Sequence, residues 1–448
     1  MDNLYLWIIL LLDILFLLLI TYVNKLSIKR NYCFILIAMQ VYLYICFSPV
    51  LTALNNNIDE KQLYIKNIIL SIFFFQIPFV ISYFYFSRKT RKQESLNADY
   101  KIVKYKQFIV LVSFLVFGLV FIYNIISNNL IFIRIGSEAR AEQVVNLSSS
   151  LISVFARMIE KNAIFLTCYL MFIICVKKIN SYFDIFLILI LVFLLLSFGL
   201  YFLINTKLYF ILFLMSLLTI LLYKSSVFDK TIKISFKPFI FVLFLMFYSF
   251  IVTSNIRGNF IQDSGIKLHS FVPWDNAAIK SEESFVKRLD GVDLMTKISQ
   301  KISLSNIPLG EAWVNPIFLT YGFLLDKERT TNLKMETNTT AKYYLMQKYT
   351  DINSADYYSC MLTDLYGNFW IFGLIFGSII LSKLTQITDT NLRISTSPNK
   401  IIISIYLLCI ILPFEQEFIS IPLSFLQSFP ILFFVLIINP IKINSKVQ

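Results

Sequence analysis

Long apolar runs alternate with short polar stretches through most of this chain, and that alternation decides the fold class before any single residue does. A helix crossing a bilayer needs about 20 predominantly apolar residues. Runs of that kind predict helices over 4–23, 32–53, 67–87, 108–126, 151–176, 185–204, 208–223, 239–254, 368–382, 401–413 and 423–440. The runs at 208–223 and 401–413 are short for a span. The N-terminal run at 4–23 has no positive stretch or small-residue cleavage site of a secretory leader, so it is expected to remain as a membrane helix. The expected class is an all-α integral membrane protein: a bundle over 1–254, a large polar loop over 255–367, and three further spans with a tail over 368–448.

The loop carries its own pattern. Ser281 followed by Glu282 and Glu283 resembles a helix start, because acids suit the positive end of the helix dipole. Phe285, Leu289, Val292 and Leu294 then recur near helical spacing, which predicts an amphipathic helix continuing to about Ile302. The aromatic residues Trp274, Trp313, Tyr343, Tyr344, Tyr349, Tyr357, Tyr358 and Tyr366 suit either a membrane interface or stacking on sugar rings.

Charge sets the orientation. The short loops at 24–31, 88–107, 177–184, 224–238 and 383–400, with the tail from 441, hold 21 Lys and Arg; those at 54–66, 127–150, 205–207 and 414–422 hold 5. The positive-inside rule therefore expects the first set in the cytoplasm, the N-terminus outside and the C-terminus inside. The 255–367 loop then lies outside and is nearly neutral, with 12 basic and 13 acidic residues. The net charge of +13 reflects topology and contact with anionic lipid, not a nucleic-acid footprint.

A hydrophobic content of 57% and a mean hydropathy of +0.71 exceed what a soluble domain hides. Cys33, Cys46, Cys168, Cys175 and Cys409 lie in apolar runs and only Cys360 in a polar one, so no disulfide framework is expected. No dinucleotide-binding, phosphate-loop or zinc-protease motif occurs. His269 is the sole histidine, which excludes a multi-histidine metal site and leaves it as a loop residue or a general base. Neither a cofactor nor a metal is expected.

Two groups of residues remain as candidate chemistry. Arg134, Arg140, Arg157, Lys207, Arg257, Lys287 and Arg288 all fall on the outer side, where guanidinium and ammonium groups can hold a lipid diphosphate or snorkel to headgroups. Arg157 lies inside a span with Glu160 and Lys161 close by, and intramembrane charges face a cavity or a partner. Asp290, Asp364, Glu415 and Glu417 are the outer acids able to serve as a base. Asp13, midway through the first run, needs a buried partner or a polar path.

Three segments carry a family resemblance: "SNIRGNF" at 254–260, "KRLDGVDLM" at 287–295 and "SADYYSCMLTDLYGNFWIFGLIFGS" at 354–378. With the large outer loop, they resemble the O-antigen polysaccharide polymerases of the Wzy type. The resemblance implies a GT-C-like glycosyltransferase of the bacterial inner membrane that joins undecaprenyl-diphosphate-linked oligosaccharide units on the periplasmic face without metal. It implies that lipid-linked oligosaccharide, membrane lipids and a polysaccharide chain-length regulator are its partners, with no nucleic acid. It implies that outer-loop arginines bind the diphosphate, with Arg257 and Arg288 the best matches by position. Together with the residues read above, the expected diphosphate-binding set is Arg140, Arg157, Lys207, Arg257 and Arg288, and the expected catalytic acids are Asp290, Asp364 and Glu415. Relatives often carry Arg where Lys207 stands. An O-antigen ligase and a lipid-linked oligosaccharide flippase remain alternatives, although no internal repeat of the kind a flippase uses is evident.

The charge count makes the topology testable. Reporters fused after Gln93 or Asn391 are expected to read cytoplasmic, and one placed within 270–280 periplasmic. A cytoplasmic reading from the last would invert the arrangement.

Overall fold

A computed structural model describes residues 2–23, 31–54, 58–90, 289–321, 340–352, 359–394, 398–414 and 417–426. The spans expected over 108–126, 151–176, 185–204, 208–223 and 239–254, and most of that over 423–440, lie outside these residues. Among those described, every regular element is a helix. They are α1 (Asp2–Val23), α2 (Tyr32–Tyr42), α3 (Ser48–Leu54), α4 (Ile58–Ser71), α5 (Ile77–Thr90), α6 (Asp293–Ser299), α7 (Glu311–Tyr321), α8 (Ala341–Tyr349), α9 (Met361–Ile394) and α10 (Pro398–Ile411). Four stretches are long and apolar enough to cross a membrane: Asn3–Tyr22, Tyr32–Leu54, Glu60–Arg88 and Met361–Leu392.

α1 has its polarity inside out relative to a helix of a soluble protein. Leu4, Leu11, Leu12, Leu18 and Leu19 are exposed, whereas Leu6 and Asp13, two turns apart on one face, are buried. Water would penalise that arrangement and hydrocarbon favours it. Leu6 joins Cys46, Val50, Ala53, Tyr64, Ile68 and Val292 in a buried cluster fed by α1, α3, α4 and the segment before α6.

α2 and α3 form one rod joined by a π-helical turn, Leu43–Phe47, and α4 and α5 are joined in the same way by Ile72–Gln76. The Ser48 N–H reaches back five residues to the Leu43 carbonyl, and the Ile77 N–H to that of Ile72. Each turn ends two residues before a proline, Pro49 or Pro78. Proline has no N–H to donate and its ring crowds the carbonyl four residues back, so the wider turn relieves the clash.

One carboxylate ties three rods together. Asp389, near the end of α9, accepts the Cys33 and Phe34 N–H groups at 2.8 and 3.0 Å and the Tyr83 hydroxyl at 2.8 Å. It thereby caps α2 from 355 residues away and fixes α5 beside it. Tyr83 also stacks on Phe34, with ring centroids 4.1 Å apart.

Two expectations from the sequence are corrected here. Helix α6 begins at Asp293, and Leu289–Val292 is a turn, because the Asp290 carboxylate and Gly291 stop the helix from extending backwards; residues 281–288 lie outside those described. Its Leu294, Met295, Thr296 and Ile298 are buried while Asp293 and Lys297 are partly exposed, so α6 packs one face against the protein. The span expected to start at 368 begins at Met361 and is broken at Trp370, whose φ of 55° and ψ of −143° interrupt it. In a straight helix residues eight apart are separated by about 12 Å along the axis. Here a Cβ on Gly373 would lie inside the van der Waals shell of the Leu365 carbonyl, so the chain folds back at Trp370.

The clustering of contacts divides the chain into two units. The first comprises Met1–Lys92, Glu282–Asp389 and Ile411–Leu423, and holds everything described above except the end of α9 and most of α10. In the second, Tyr406 of α10 donates to the Ser424 carbonyl at 3.1 Å.

The Gly373 contact predicts a steep penalty for a methyl group. Gly373→Ala should lower the melting temperature of detergent-solubilised protein or abolish its membrane insertion, since overpacking costs about 1–3 kcal/mol and here the obstacle is backbone. Size-exclusion profiles of tagged protein check this, with Ser378→Ala on the same helix as a near-neutral control.

Candidate functional site

Two of the acids singled out by the sequence, Asp290 and Asp364, fall in the first unit, and each organises a turn of backbone. Asp290 Oδ1 accepts the N–H groups of Val292 and Asp293, both at 3.0 Å, and so caps α6. The Tyr64 hydroxyl of α4 stands 3.5 Å from Oδ2 and donates to Asp293 at 2.6 Å. Gly291, between the two aspartates, donates its N–H to the Tyr44 carbonyl and accepts the Cys360 thiol at 3.3 Å. A Cβ there would stand 2.8 Å from Cys360 Sγ and 2.9 Å from the Tyr44 carbonyl oxygen, which makes glycine obligatory. Burial holds the Cys360 thiol up at about 12, so it acts as a neutral donor.

Asp364 lies one turn into α9. Its Oδ1 accepts the Trp313 indole N–H of α7 at 2.7 Å and the Asn368 amide at 2.8 Å, and its Oδ2 accepts the Ile419 N–H at 3.2 Å. Trp313 is held edge-on to Phe369, with centroids 4.9 Å apart. Glu417 follows the same logic at α8: its two oxygens accept the N–H groups of Ala341 and Lys342 at 3.2 and 2.8 Å. The Met361 N–H reaches the Phe414 carbonyl at 3.1 Å. The segment around 414–419 is thus fastened to the start of α9 on both sides of Glu415.

The electrostatics follow from burial. Asp290 is pushed from 3.8 up to about 7, first by desolvation and then by the neighbouring negative Asp293, against the pull of the Thr52 hydroxyl and the two N–H groups. Glu417 is also raised by burial, with the Lys342 and Ala341 N–H groups opposing. Glu311, exposed on α7, is lowered by the Tyr344 hydroxyl and then by Lys348. Asp290 and Asp364 are only 3% and 2% exposed, so any group they reach must come to them through the protein.

Glu415, Arg140, Arg157, Lys207, Arg257, Arg288, Arg134, Lys287 and His269 lie outside the described residues, as do Trp274, Tyr357 and Tyr358. Of the loop tyrosines, Tyr349 and Tyr366 are packed inside the protein, where Tyr349 donates to the Asn306 carbonyl. Sequence reading did not identify Asn368, Tyr64, or Trp313 as the partner of Asp364. Asn368 is four residues from Asp364, but the expected span began at 368 and left Asp364 in the loop; the other two contacts join residues 51 or more apart. Among the described residues no group of three His, Cys, Asp or Glu stands together.

These helices, which expose large apolar side chains and bury polar ones such as Asp13, Asn67 and Gln76 within an apolar core, belong to a helical membrane protein with several segments able to cross the bilayer. No protein-family model matches the chain, and neither a curated protein nor a solved structure does.

The pH dependence of Asp290 follows from its geometry. Folded protein binds a proton there between pH 3.8 and about 7 that an unfolded chain releases. The contribution is therefore fully present below 3.8 and declines as pH rises through that window. Asp290→Asn, whose amide oxygen can still cap α6, should flatten the decline in melting temperature from pH 5 to 8. Asp290→Ala should lower stability by about 1 kcal/mol through loss of the cap. An unchanged pH slope in the Asn variant would assign the proton elsewhere.

Proposed function

We propose that this protein polymerises undecaprenyl-diphosphate-linked oligosaccharide units into O-antigen or a similar surface polysaccharide, as a metal-independent, GT-C-like glycosyltransferase on the periplasmic face of the bacterial inner membrane. The reading takes about eleven spans with the N-terminus outside and the C-terminus in the cytoplasm. The observation that carries it is the meeting of two of the three resembling segments. Gly291 of "KRLDGVDLM" is bonded to Cys360 of "SADYYSCMLTDLYGNFW", although 69 residues separate them. Segments that share a reaction need such a meeting, and unrelated loop sequences do not.

In this reading Arg140, Arg157, Lys207, Arg257 and Arg288 hold the lipid diphosphate. Arg257 follows closely on a predicted span and is expected at headgroup depth; Arg288 is two residues before Asp290 in sequence. The growing chain leaves its diphosphate for a hydroxyl of the next unit, and arginine stabilises the charge that develops on the leaving group. Asp290, Asp364 and Glu415 are the acids proposed for catalysis, with Asp290 and Asp364 also ordering the backbone that they accept from. A polysaccharide chain-length regulator is the expected protein partner.

Glycolipid analysis of a deletion strain tests the reading. Lipid-linked single units should accumulate; lipid-linked full-length polymer would indicate a ligase, and loss of outer-face units a flippase. Arg257→Lys and Arg288→Lys should each reduce polymer by about 10²–10³ at unchanged expression, because an ammonium cannot make the bidentate contact. Near-normal polymer in both would make these arginines headgroup anchors.

A further inference from the structure

Asp13 and Gln76 face each other from the middle of two apolar helical rods, and their hydrogen bonding is half complete. Gln76 Nε2 donates to Asp13 Oδ1 at 2.7 Å. Asp13 Oδ2 and Gln76 Oε1, the remaining oxygens of the two planar groups, are both buried without a hydrogen-bond partner, although the Cys46 thiol is a weak donor beside the Asp13 carboxyl. Asp13 is 4% exposed and Gln76 1%. Two acceptors are thus left over on a carboxyl and an amide already joined by one hydrogen bond, and a proton on the carboxyl turns one of them into a donor.

We infer that Asp13 and Gln76 form a buried proton-binding site, in which the carboxyl keeps its proton and donates it from Oδ2 to Gln76 Oε1. The pair then closes a ring of two hydrogen bonds, Asp13 O–H to Gln76 oxygen and Gln76 N–H to Asp13 oxygen. No bond other than these is made or broken.

The surroundings favour the neutral acid. α1 packs on α3, α4 and the π turn Leu43–Phe47. Of the titratable groups there, the Cys46 thiol and the Tyr42 hydroxyl face Asp13, and both are neutral weak donors. Lys61 of α4 bonds Asn3 at the start of α1, and Tyr64 is committed to Asp293. No cation is among the described groups acting on Asp13. An ionised carboxylate in such a place is met by a cation or by several N–H groups, as Asp389 is by two and a hydroxyl. A second feature marks the place: Cys46 and Gln76 each belong to a π turn, and such turns recur at functional positions.

Full-length protein in nanodiscs at neutral pH tests the site by infrared spectroscopy and thermal melting. Asn is the neutral isostere of a protonated Asp and restores both bonds. Asp13→Asn should therefore melt at the wild-type temperature while losing one carboxylic-acid carbonyl band, and Asp13→Leu and Gln76→Leu should melt several degrees lower. Three results would overturn the proposal: an Asp13→Asn protein that misfolds or melts with the Leu variant, no carboxylic-acid band lost, or a wild-type melting temperature that rises with sodium or potassium and no longer does so in Asp13→Asn.

Discussion

Carboxylates are expensive to bury in apolar surroundings, and this protein meets that cost with backbone N–H groups in place of cations. Asp290 faces two N–H groups, Asp389 two and a tyrosine hydroxyl, Glu417 two, and Asp364 one with an indole and an amide. Three of these clusters are helix starts, where unpaired N–H groups and the helix dipole concentrate positive potential. The ion pairs among the described residues, by contrast, lie at exposed or half-exposed positions, as with Lys301 and Asp351. Because Asp389 and Glu417 reach across large sequence separations, each joins segments that local helix propensity alone could not bring together.

How much of this was legible in the sequence depended on the range of the interaction involved. The first three rods follow from apolar run length, and α1 and the Tyr32–Leu54 rod match the expected boundaries within a residue or two. The start of α6 did not, because hydrophobic spacing around Leu289 and Val292 continues past the point where Asp290 and Gly291 stop the helix. The break at Trp370 gave no warning either: the run is apolar on both sides, and the strain is tolerated because Gly373 lets the returning segment lie against Leu365. Asp290 and Asp364 were visible as acids of the expected outer loop, but their partners were not, since nothing in the local sequence marks Tyr64 or Trp313 as contacts.

The fold-back at Trp370 places Asp364 and Asn368 on a half-helix distinct from the long segment that follows. Asn368 closes that half-helix with its carbonyl, which accepts the Leu309 N–H at 3.0 Å, while its side chain bonds Asp364. Non-helical backbone within an apolar stretch survives only where protein groups satisfy it. Here the Leu309 N–H does so for the Asn368 carbonyl, while Trp313 and Ile419 hold the Asp364 side chain.

The two π turns carry a consequence for how the chain tolerates change in length. Each accommodates one residue beyond the α-helical repeat, and one residue turns the rest of a helix by about 100°. In the rod over Glu60–Arg88, that offset is what brings Phe79 and Tyr83 inward, where Tyr83 meets Asp389. Loss of a single residue from Ile72–Gln76 would leave the rod apolar and span-length, yet rotate its second half so that lipid met the inner face. The phase of the rod, more than its hydrophobicity, is thus what the proline and its wide turn preserve.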